Sequence, residues 1–395
     1  MKAAMVREMK PGWQIKPTKL NNQALNLFAD SEREQYDWRN NVIVNKSKLV
    51  EKVEEAEKLN DLLQLKKGVS FIKSVINFPK SDREGLLNIV QNGDTIVLKR
   101  NAFVEELKQI EEVQTIERAK YYLERLKKGV SEVKTGKIND INLNRWKEYE
   151  EIITDSLWVL DKRDNTGAHL GWYWGNFIPQ IPHQLMLRYT KKGDWVLDPF
   201  LGSGTTLIEC RRLGRNGIGV ELNPEVSVKA KELIEKEKNG HDVATEIIAG
   251  DSRKINLNET LDKHGTKQVQ LVIMHPPYHN IIKFSQDKND LSNAPNTEAF
   301  IKMFGEVLDK TIPFLEKGRC LGIVIGDKYS RGTWIPLGFH VMNEVVKRDF
   351  TLKSIIVKNF EETRGKRNQK ELWRYRALVG GFYIFKHEYI LLFKK

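Results

Sequence analysis

Short apolar runs alternate with amphipathic stretches in the second half of the chain, and this alternation restricts the possible folds more than any other feature. The runs lie at 195–197, 218–220, 247–248, 271–274 and 321–325. Such runs are typical of parallel strands buried on both faces, and the stretches between them are typical of covering helices. Two later runs, 352–357 and 382–393, flank a basic segment and predict an antiparallel pair at the sheet edge. The sequence therefore predicts an α/β domain.

The first 165 residues lack this alternation and predict a mostly helical domain. Apolar residues recur three and four positions apart between 46 and 67, and a second helix is predicted from 103 to about 128. We find no enzyme motif in this part of the chain, so target recognition and oligomerisation both stay open as its role. The predicted domains are 1–165 and 166–395.

The positive charge of the chain is concentrated near its C-terminal end. Lys and Arg number 65 against 53 Asp and Glu, a net charge of +12, whereas residues 151–350 are balanced. The segment 361–376 holds six basic and three acidic side chains, and two interpretations of it stay open: a solvated surface loop, or a loop that contacts nucleic-acid phosphates. The candidate residues for these contacts are Arg364, Lys366, Arg367, Arg374 and Arg376.

Composition also excludes several classes of protein. No apolar run approaches the roughly 18 residues that cross a bilayer, and the N-terminal segment is too polar for a secretory signal. Cys210 and Cys320 lie far apart and form neither a disulfide framework nor a CxxC metal site. We therefore expect a cytosolic protein without a membrane partner.

A glycine-rich turn, VLDPFLGSGTT at 196–206, ends the first predicted strand of the α/β domain and begins a helix. Gly202 and Gly204 let the backbone approach a ligand closely. The turn lacks the third glycine of the dinucleotide motif and the GK[ST] of the P-loop. Because ligands bind at the carboxyl ends of strands in α/β sheets, we expect this turn to form one side of a binding site.

Acidic residues follow the next two predicted strands. Glu221 comes directly after the run 218–220, where a carboxylate is suited to binding two ribose hydroxyls. Asp251 lies just beyond the run 247–248, where it can accept a hydrogen bond from an adenine amino group.

A pair of prolines lies in the segment His275-Pro276-Pro277-Tyr278, which follows a predicted buried strand. Two consecutive prolines remove two N–H donors, so the adjacent carbonyls can accept hydrogen bonds from an amino group. Tyr278 offers a face on which a planar base can stack. His275 and His279 are four positions apart, but the prolines prevent the helix that would bring them together, so we expect no zinc site.

Together these motifs resemble the S-adenosylmethionine-dependent amino-methyltransferases that modify DNA at adenine N6 or cytosine N4. The segment 198–206 resembles the cofactor motif of that family, and 275–278 resembles its catalytic (Asp/Asn/Ser)-Pro-Pro-(Tyr/Phe/Trp) motif. The segment Gly175-Asn176-Phe177-Ile178-Pro179-Gln180 resembles a further cofactor motif. The resemblance covers about 166–395. In this chain the cofactor motif comes first, whereas many members that share its spelling have the reverse order.

The resemblance implies a Rossmann-like sheet of seven strands, mostly parallel with an antiparallel last strand. It implies S-adenosylmethionine as cofactor and direct methyl transfer to an exocyclic amine of a flipped base. The implied catalytic residues are His275, Pro276, Pro277 and Tyr278. The implied cofactor-binding residues are Phe177, Ile178, Pro179, Asp198, Pro199, Phe200, Gly202, Ser203, Gly204, Thr205, Glu221, Asp251 and Ser252. His275 departs from the family pattern, which leaves adenine and cytosine both open as the target.

The implied partner is double-stranded DNA in a prokaryotic cytosol, with no metal ion. A homodimer and a cognate restriction endonuclease stay open as further partners. Two alternatives also stay open: an RNA or protein methyltransferase of related fold, and a catalytically inactive DNA-binding homologue.

Overall fold

A computed structural model describes residues 40–88, 91–160, 162–360 and 369–395. The chain divides into two units, one up to Glu124 and one from Arg125 onward. This division precedes the predicted boundary at 165, because the segment between them clusters with the α/β unit rather than with the helices.

The first unit contains helices and a two-stranded antiparallel sheet. Its elements are β1 (Asn41–Asn45), α1 (Lys46–Glu57), α2 (Leu62–Asn77), β2 (Thr95–Lys99), α3 (Arg100–Glu112) and α4 (Ile116–Ser131), which crosses the division. Strand β1 pairs with β2. The mostly helical character is as predicted, but each long predicted helix is two helices.

Side-chain caps explain these two breaks. The predicted helix 46–67 is interrupted because the Asp61 carboxylate accepts a hydrogen bond from the backbone N–H of Gln64 and starts α2. The predicted helix 103–128 is interrupted at Val113, whose backbone is extended. Thr115 then accepts a bond from the N–H of Arg118 at the start of α4.

The second unit is built around one large sheet. The strands of this unit are β3 (Leu157–Trp158), β4 (Trp195–Asp198), β5 (Asn216–Glu221), β6 (Thr245–Ala249), β7 (Val269–Met274), β8 (Leu315–Ile325), β9 (Lys328–Ser330), β10 (Thr333–Ile335), β11 (Thr351–Asn359) and β12 (His387–Lys394). Strands β9 and β10 pair with each other in a separate antiparallel sheet. Its helices are α5 (Gln180–Tyr189), α6 (Thr205–Leu213), α7 (Pro224–Lys236), α8 (Leu257–Lys263), α9 (Thr297–Thr311), α10 (Leu337–Val346) and α11 (Lys370–Gly380).

The large sheet has eight strands in the order β3-β11-β12-β8-β7-β4-β5-β6. Strands β4 to β8 pair in parallel, and β12 is antiparallel to both of its neighbours, β8 and β11. The predicted seven-stranded sheet with an antiparallel last strand is therefore confirmed. The short strand β3 is an addition that pairs in parallel with β11 at the edge.

Apolar side chains on both faces of this sheet form its core. Along β7, Leu271 and Ile273 pack into one cluster while Val272 and Met274 pack into another. This alternation follows from the two-residue period of a strand, and it explains why the central strands are continuous apolar runs. No helix within the described ranges is long and apolar enough to cross a membrane.

The C-terminal segment differs from the sequence-based expectation. Part of the predicted loop 361–376 forms α11, which begins at Lys370 and ends at Gly380. Gly381 stops the helix with a left-handed backbone (φ +64°). The last strand consequently starts at His387 rather than at 382.

Candidate active site

A cavity of about 820 Å³ lies at the carboxyl ends of the central strands. It is lined by thirteen of the residues named above as candidates: Phe177, Ile178, Pro199, Phe200, Gly202, Ser203, Glu221, Asp251, Ser252, His275, Pro276, Pro277 and Tyr278. Four other candidates, Pro179, Asp198, Gly204 and Thr205, are outside its lining. The parallel arrangement explains the convergence, because the turns that follow β4, β5, β6 and β7 all meet at one edge of the sheet.

The glycine-rich turn has the backbone that its spelling predicts. Gly202 and Gly204 have φ angles of +55° and +86°, which side chains rarely adopt. A Cβ on Gly202 would lie 3.1 Å from the Tyr173 ring, which also lines the cavity. The turn therefore presents backbone rather than side chains to a ligand at this point.

Asp198 stabilises this turn through hydrogen bonds and lies outside the lining of the cavity. Its side chain is fully buried, and its carboxylate accepts hydrogen bonds from the Thr206 hydroxyl and from the backbone N–H of Phe200. Burial raises the pKa of Asp198 to about 7, against the effect of these two bonds. Its position gives Asp198 contact with the turn and not with the cavity.

Glu221 ends β5 and faces the cavity with both carboxylate oxygens engaged. Oε2 accepts from the N–H of Gly202 at 2.9 Å, and Oε1 accepts from the N–H of Asn223 at 2.8 Å. Each oxygen keeps a second lone pair, which is what two neighbouring hydroxyls need. Burial raises the pKa of Glu221, and the two backbone bonds oppose that rise.

Asp251 is part of an ion pair. Its two oxygens accept from Nε and Nη2 of Arg253 at 3.0 and 2.8 Å. Burial acts to raise the pKa of Asp251, but the bonds and charge of Arg253 outweigh it and the pKa is lowered. The carboxylate therefore stays ionised. Oδ1 also accepts from the backbone N–H of Arg253, so the second lone pair of Oδ2 is the one that can accept from an amino group.

Arg163 lines the cavity and was not anticipated from the sequence. Its Nη1 donates to the carbonyl of Phe177 at 2.7 Å, while Nε and Nη2 are buried without a hydrogen-bond partner among the described residues. Burial lowers the pKa of Arg163. Asn176 beside it donates to Ser203 at 3.2 Å, which ties the 175–180 segment to the glycine-rich turn. No local sequence signal separates Arg163 from a surface arginine.

The His275–Tyr278 turn is joined to a buried ion pair. Nε2 of His275 lies 3.1 Å from the Tyr278 hydroxyl, which donates to Oε2 of Glu388 at 2.8 Å. Nζ of Lys358 donates to Oε1 of the same carboxylate at 2.8 Å. All four side chains line the cavity, and those of Lys358 and Glu388 are only 8% and 12% exposed.

The pKa shifts in this network follow from its burial and its charges. Burial lowers the pKa of His275 to about 4, although the charge of Glu388 acts to raise it. Burial acts to raise the pKa of Glu388, but Lys358 and the hydrogen bonds to the carboxylate outweigh it and the pKa is lowered. Burial and the nearby Glu388 raise the pKa of Tyr278. At neutral pH the network therefore holds a neutral imidazole, a neutral phenol and an ionised carboxylate.

Lys358 and Glu388 were also missed from the sequence. They are thirty positions apart and become neighbours only because β11 and β12 pair in antiparallel register, with Lys358 opposite Glu388. Neither position carries a motif, so the available signal was the prediction that these two strands pair.

The ring of His279 contacts residues other than those of the His275 network. Its Nε2 lies 2.9 Å from the carbonyl oxygen of Ala294, and its Nδ1 lies 3.2 Å from Nζ of Lys328. Both ring nitrogens thus have protein partners.

Elsewhere in the described chain, the ligand atoms of Asp164, His169 and Glu209 lie within 4.8 Å of one another. The Arg212 guanidinium is 3.1 Å from Asp164 and 3.5 Å from Glu209, and it supplies positive charge there.

The arginines of α11 lie beside the cavity. Arg374 and Arg376 are exposed, and Trp373 of the same helix contributes to the lining of the cavity. The Arg376 guanidinium lies 5.3 Å from the Trp373 ring centroid. The other three candidates for phosphate contacts, Arg364, Lys366 and Arg367, lie outside the described residues.

Comparison with known families gives one match across most of the chain. A family model described as "DNA methylase", of the N6/N4 type, matches residues 20–232 and 269–395.

Individual relatives match over shorter segments. Type II methyltransferase M.MjaII of Methanocaldococcus jannaschii is 41% identical over 88 residues, which are 20% of this chain and 16% of that protein. Type II methyltransferase M.HpaI of Haemophilus parainfluenzae is 46% identical over 59 residues, 15% of this chain and 19% of that protein. The chain thus spans less than a fifth of the length of either relative. Among solved structures, TrmN from Thermus thermophilus aligns with a TM-score of 0.37 at 15% identity, covering 56% of this chain and 50% of that chain.

Proposed function

Because the chain belongs to the DNA methylase family, we propose that it is an S-adenosylmethionine-dependent methyltransferase acting on an exocyclic amine, adenine N6 or cytosine N4, of double-stranded DNA. The observation that carries this proposal is the shared cavity. The glycine-rich turn, the carboxylate of Glu221 and the His275–Tyr278 turn all line it. A cofactor and a base can therefore meet within one cavity.

The residues present fit S-adenosylmethionine. Glu221 keeps one lone pair on each oxygen for the ribose hydroxyls, and Gly202 leaves room for close approach. The two unpartnered nitrogens of Arg163, Nε and Nη2, suit the carboxylate at the amino-acid end, because guanidinium and carboxylate form strong charge-assisted bonds. When bound, S-adenosylmethionine supplies an electrophilic methyl carbon on its sulfonium.

We assign the target amine to the His275–Tyr278 turn. The lone pair of an exocyclic amine is delocalised into the base, so the amine is a poor nucleophile. Acceptors for its two N–H groups, which we assign to the His275 ring and the Pro276 carbonyl, would localise that lone pair. Transfer forms an N–C bond, breaks the C–S bond and releases one proton from the amine. Tyr278 would stack on the base, which leaves the duplex at a cost of a few kcal/mol.

DNA would be held at the cavity rim. We assign phosphate contacts to the basic segment, of which Arg374 and Arg376 on α11 are exposed beside the cavity. We assign target recognition or dimer formation to the first unit. The proposal also includes a cognate restriction endonuclease and a cytosolic location. Protection of methylated DNA from cleavage tests for the restriction endonuclease. The mass of the protein in solution tests for the dimer.

The deciding experiment measures which polymer receives the methyl group. The full-length chain is incubated with methyl-labelled S-adenosylmethionine and with unmethylated duplex DNA, RNA or protein, and the DNA is digested for nucleoside mass spectrometry. N6-methyladenine or N4-methylcytosine is the expected product. Transfer to RNA or protein alone would support the alternative enzyme, and cofactor binding without transfer would support an inactive homologue. Either result overturns the proposal.

Two variants test the assigned residues. His275→Ala and Tyr278→Ala should abolish the product while cofactor affinity is retained. His340→Ala is the matched control, because His340 is exposed on α10 and lies outside the cavity lining. Full activity of either site variant would remove the residue from the mechanism.

A further inference from the structure

The hydrogen-bond network beside His275 contains few protons, and they can be placed one by one. An ionised carboxylate only accepts hydrogen bonds, so the bond between Tyr278 and Glu388 uses the single proton of the Tyr278 hydroxyl. The Tyr278 oxygen then has only lone pairs to offer to Nε2 of His275, 3.1 Å away. That contact is a hydrogen bond only if Nε2 carries the proton.

We infer that Lys358, Glu388 and Tyr278 set the tautomer of His275, keeping its proton on Nε2 and leaving the lone pair of Nδ1 to accept an N–H of the target amine. This inference rests on the proposed function for its purpose but not for its geometry. In the family pattern the same position holds Asp, Asn or Ser, whose oxygen always has a lone pair. An imidazole has one acceptor nitrogen in its neutral form, so its tautomer decides whether it can do the same work.

The ion pair at the end of the network makes the direction of its bonds definite. Lys358 Nζ has only donors, and it occupies Oε1 of Glu388 at 2.8 Å. The paired register of β11 and β12 holds both residues opposite each other. The nearby positive charge favours an ionised Glu388, and a carboxylate in that state cannot donate to Tyr278. Glu388 and Lys358 are thus positioning residues that act through Tyr278.

Glu388→Gln should reverse the network without changing its shape. Lys358 would still donate to the position of Oε1, which orients the amide with its oxygen there and its NH₂ toward Tyr278. The Tyr278 oxygen would accept from that NH₂, and its proton would turn to Nε2 of His275. The proton of the ring would then reside on Nδ1, where the target amine needs an acceptor.

The first readout is the tautomer itself, which requires no activity. Long-range ¹H–¹⁵N spectra of the full-length chain with ¹⁵N-labelled histidine separate protonated from unprotonated ring nitrogens. The His275 signals are assigned as those missing from His275→Asn among the eight histidines. We expect Nε2–H in the wild type and Nδ1–H in Glu388→Gln. A wild-type ring protonated on Nδ1, or one unchanged by Glu388→Gln, overturns the inference.

The second readout is the single-turnover rate. Glu388→Gln should lower it by about 100-fold, the size of effect seen when one preorganised hydrogen bond to the reacting group is removed. Adding Tyr278→Phe should recover part of that loss, because the amide can no longer reach the imidazole through a hydroxyl. A structural role of Glu388 predicts the opposite, since the second substitution would then add to the damage. Additive losses would therefore count against the inference.

Two comparisons keep the outcomes separate. If Glu388→Gln does not fold, Tyr278→Phe replaces it, and the wild-type preference for Nε2–H should be lost in that variant; a preference that persists overturns the inference. A wild-type protein with Nε2–H but no methyl transfer refutes the proposed function alone. An active wild-type protein with Nδ1–H refutes this inference alone.

Discussion

Glu221→Gln removes one charge from the cavity and keeps the size of the side chain. The wild-type carboxylate accepts from the N–H of Gly202 at one oxygen and from the N–H of Asn223 at the other. A glutamine has a single oxygen, so its NH₂ must face one of these two N–H groups in either orientation. The variant therefore loses one of these two backbone bonds and one acceptor for a ribose hydroxyl.

The expected loss of affinity follows from these contacts. A hydrogen bond to a charged group contributes about 1.5–3 kcal/mol. Losing one such bond to the ribose corresponds to a rise of roughly 10- to 150-fold in the Kd for S-adenosylmethionine. The lost backbone bond lowers the stability of the unliganded protein as well, because one backbone N–H is left facing a donor.

Isothermal titration calorimetry measures the affinity, and thermal unfolding of the same samples shows that the fold persists. Glu225→Gln is the matched control, since Glu225 is exposed at the start of α7 and takes no part in the cavity lining. The control should bind as the wild type does. A Kd for Glu221→Gln within about twofold of the wild type would refute the assignment of Glu221 to the ribose.

Three other predictions concern the base and the DNA. A Cβ on Gly326 would lie 2.7 Å from the Tyr278 ring, so Gly326→Ala should lower the single-turnover rate about 100-fold with unchanged cofactor Kd; a wild-type rate would contradict this. Because the pKa of His275 is lowered to about 4, the neutral ring persists on acidification and the rate should not fall between about pH 7 and 5. A fall centred near 6.5 that disappears in His275→Asn would contradict it. Replacing Arg374 and Arg376 by Ala should reduce the salt dependence of DNA binding, measured by anisotropy, by about two ions; an unchanged slope would count against phosphate contacts.

Much of the cavity lining was predictable from the sequence. The glycine-rich turn, Glu221 and the His275–Tyr278 turn are contiguous signals, each placed directly after an apolar run. Because parallel strands end at one sheet edge, locating the strands also located the edge at which the cavity lies. Arg163, Lys358 and Glu388 line the same cavity but follow from no local pattern.

Several boundaries were less predictable for a different reason. Apolar periodicity continues through the break between α1 and α2, where the hydrogen bond of Asp61 starts a new helix. The basic segment 361–376 was predicted to be a loop, but part of it lies in α11. The prediction failed there because a run of charged residues is as typical of a solvated helix as of a loop. Periodicity reports which faces are apolar, whereas caps decide where each element ends.

The sequence by itself determined the α/β class, the order of the strands along the chain and the identity of the turns that meet at the carboxyl edge. These properties reside in neighbouring residues, whose apolar period and glycine or proline content act locally. Only the tertiary structure decided that Asp198 supports the turn from beneath and that Lys358 and Glu388 join Tyr278 and His275. Burial, strand register and the direction of each hydrogen bond depend on residues that are far apart in the chain. The net charge of +12, which gave the first indication of a nucleic-acid partner, carries no information about these contacts.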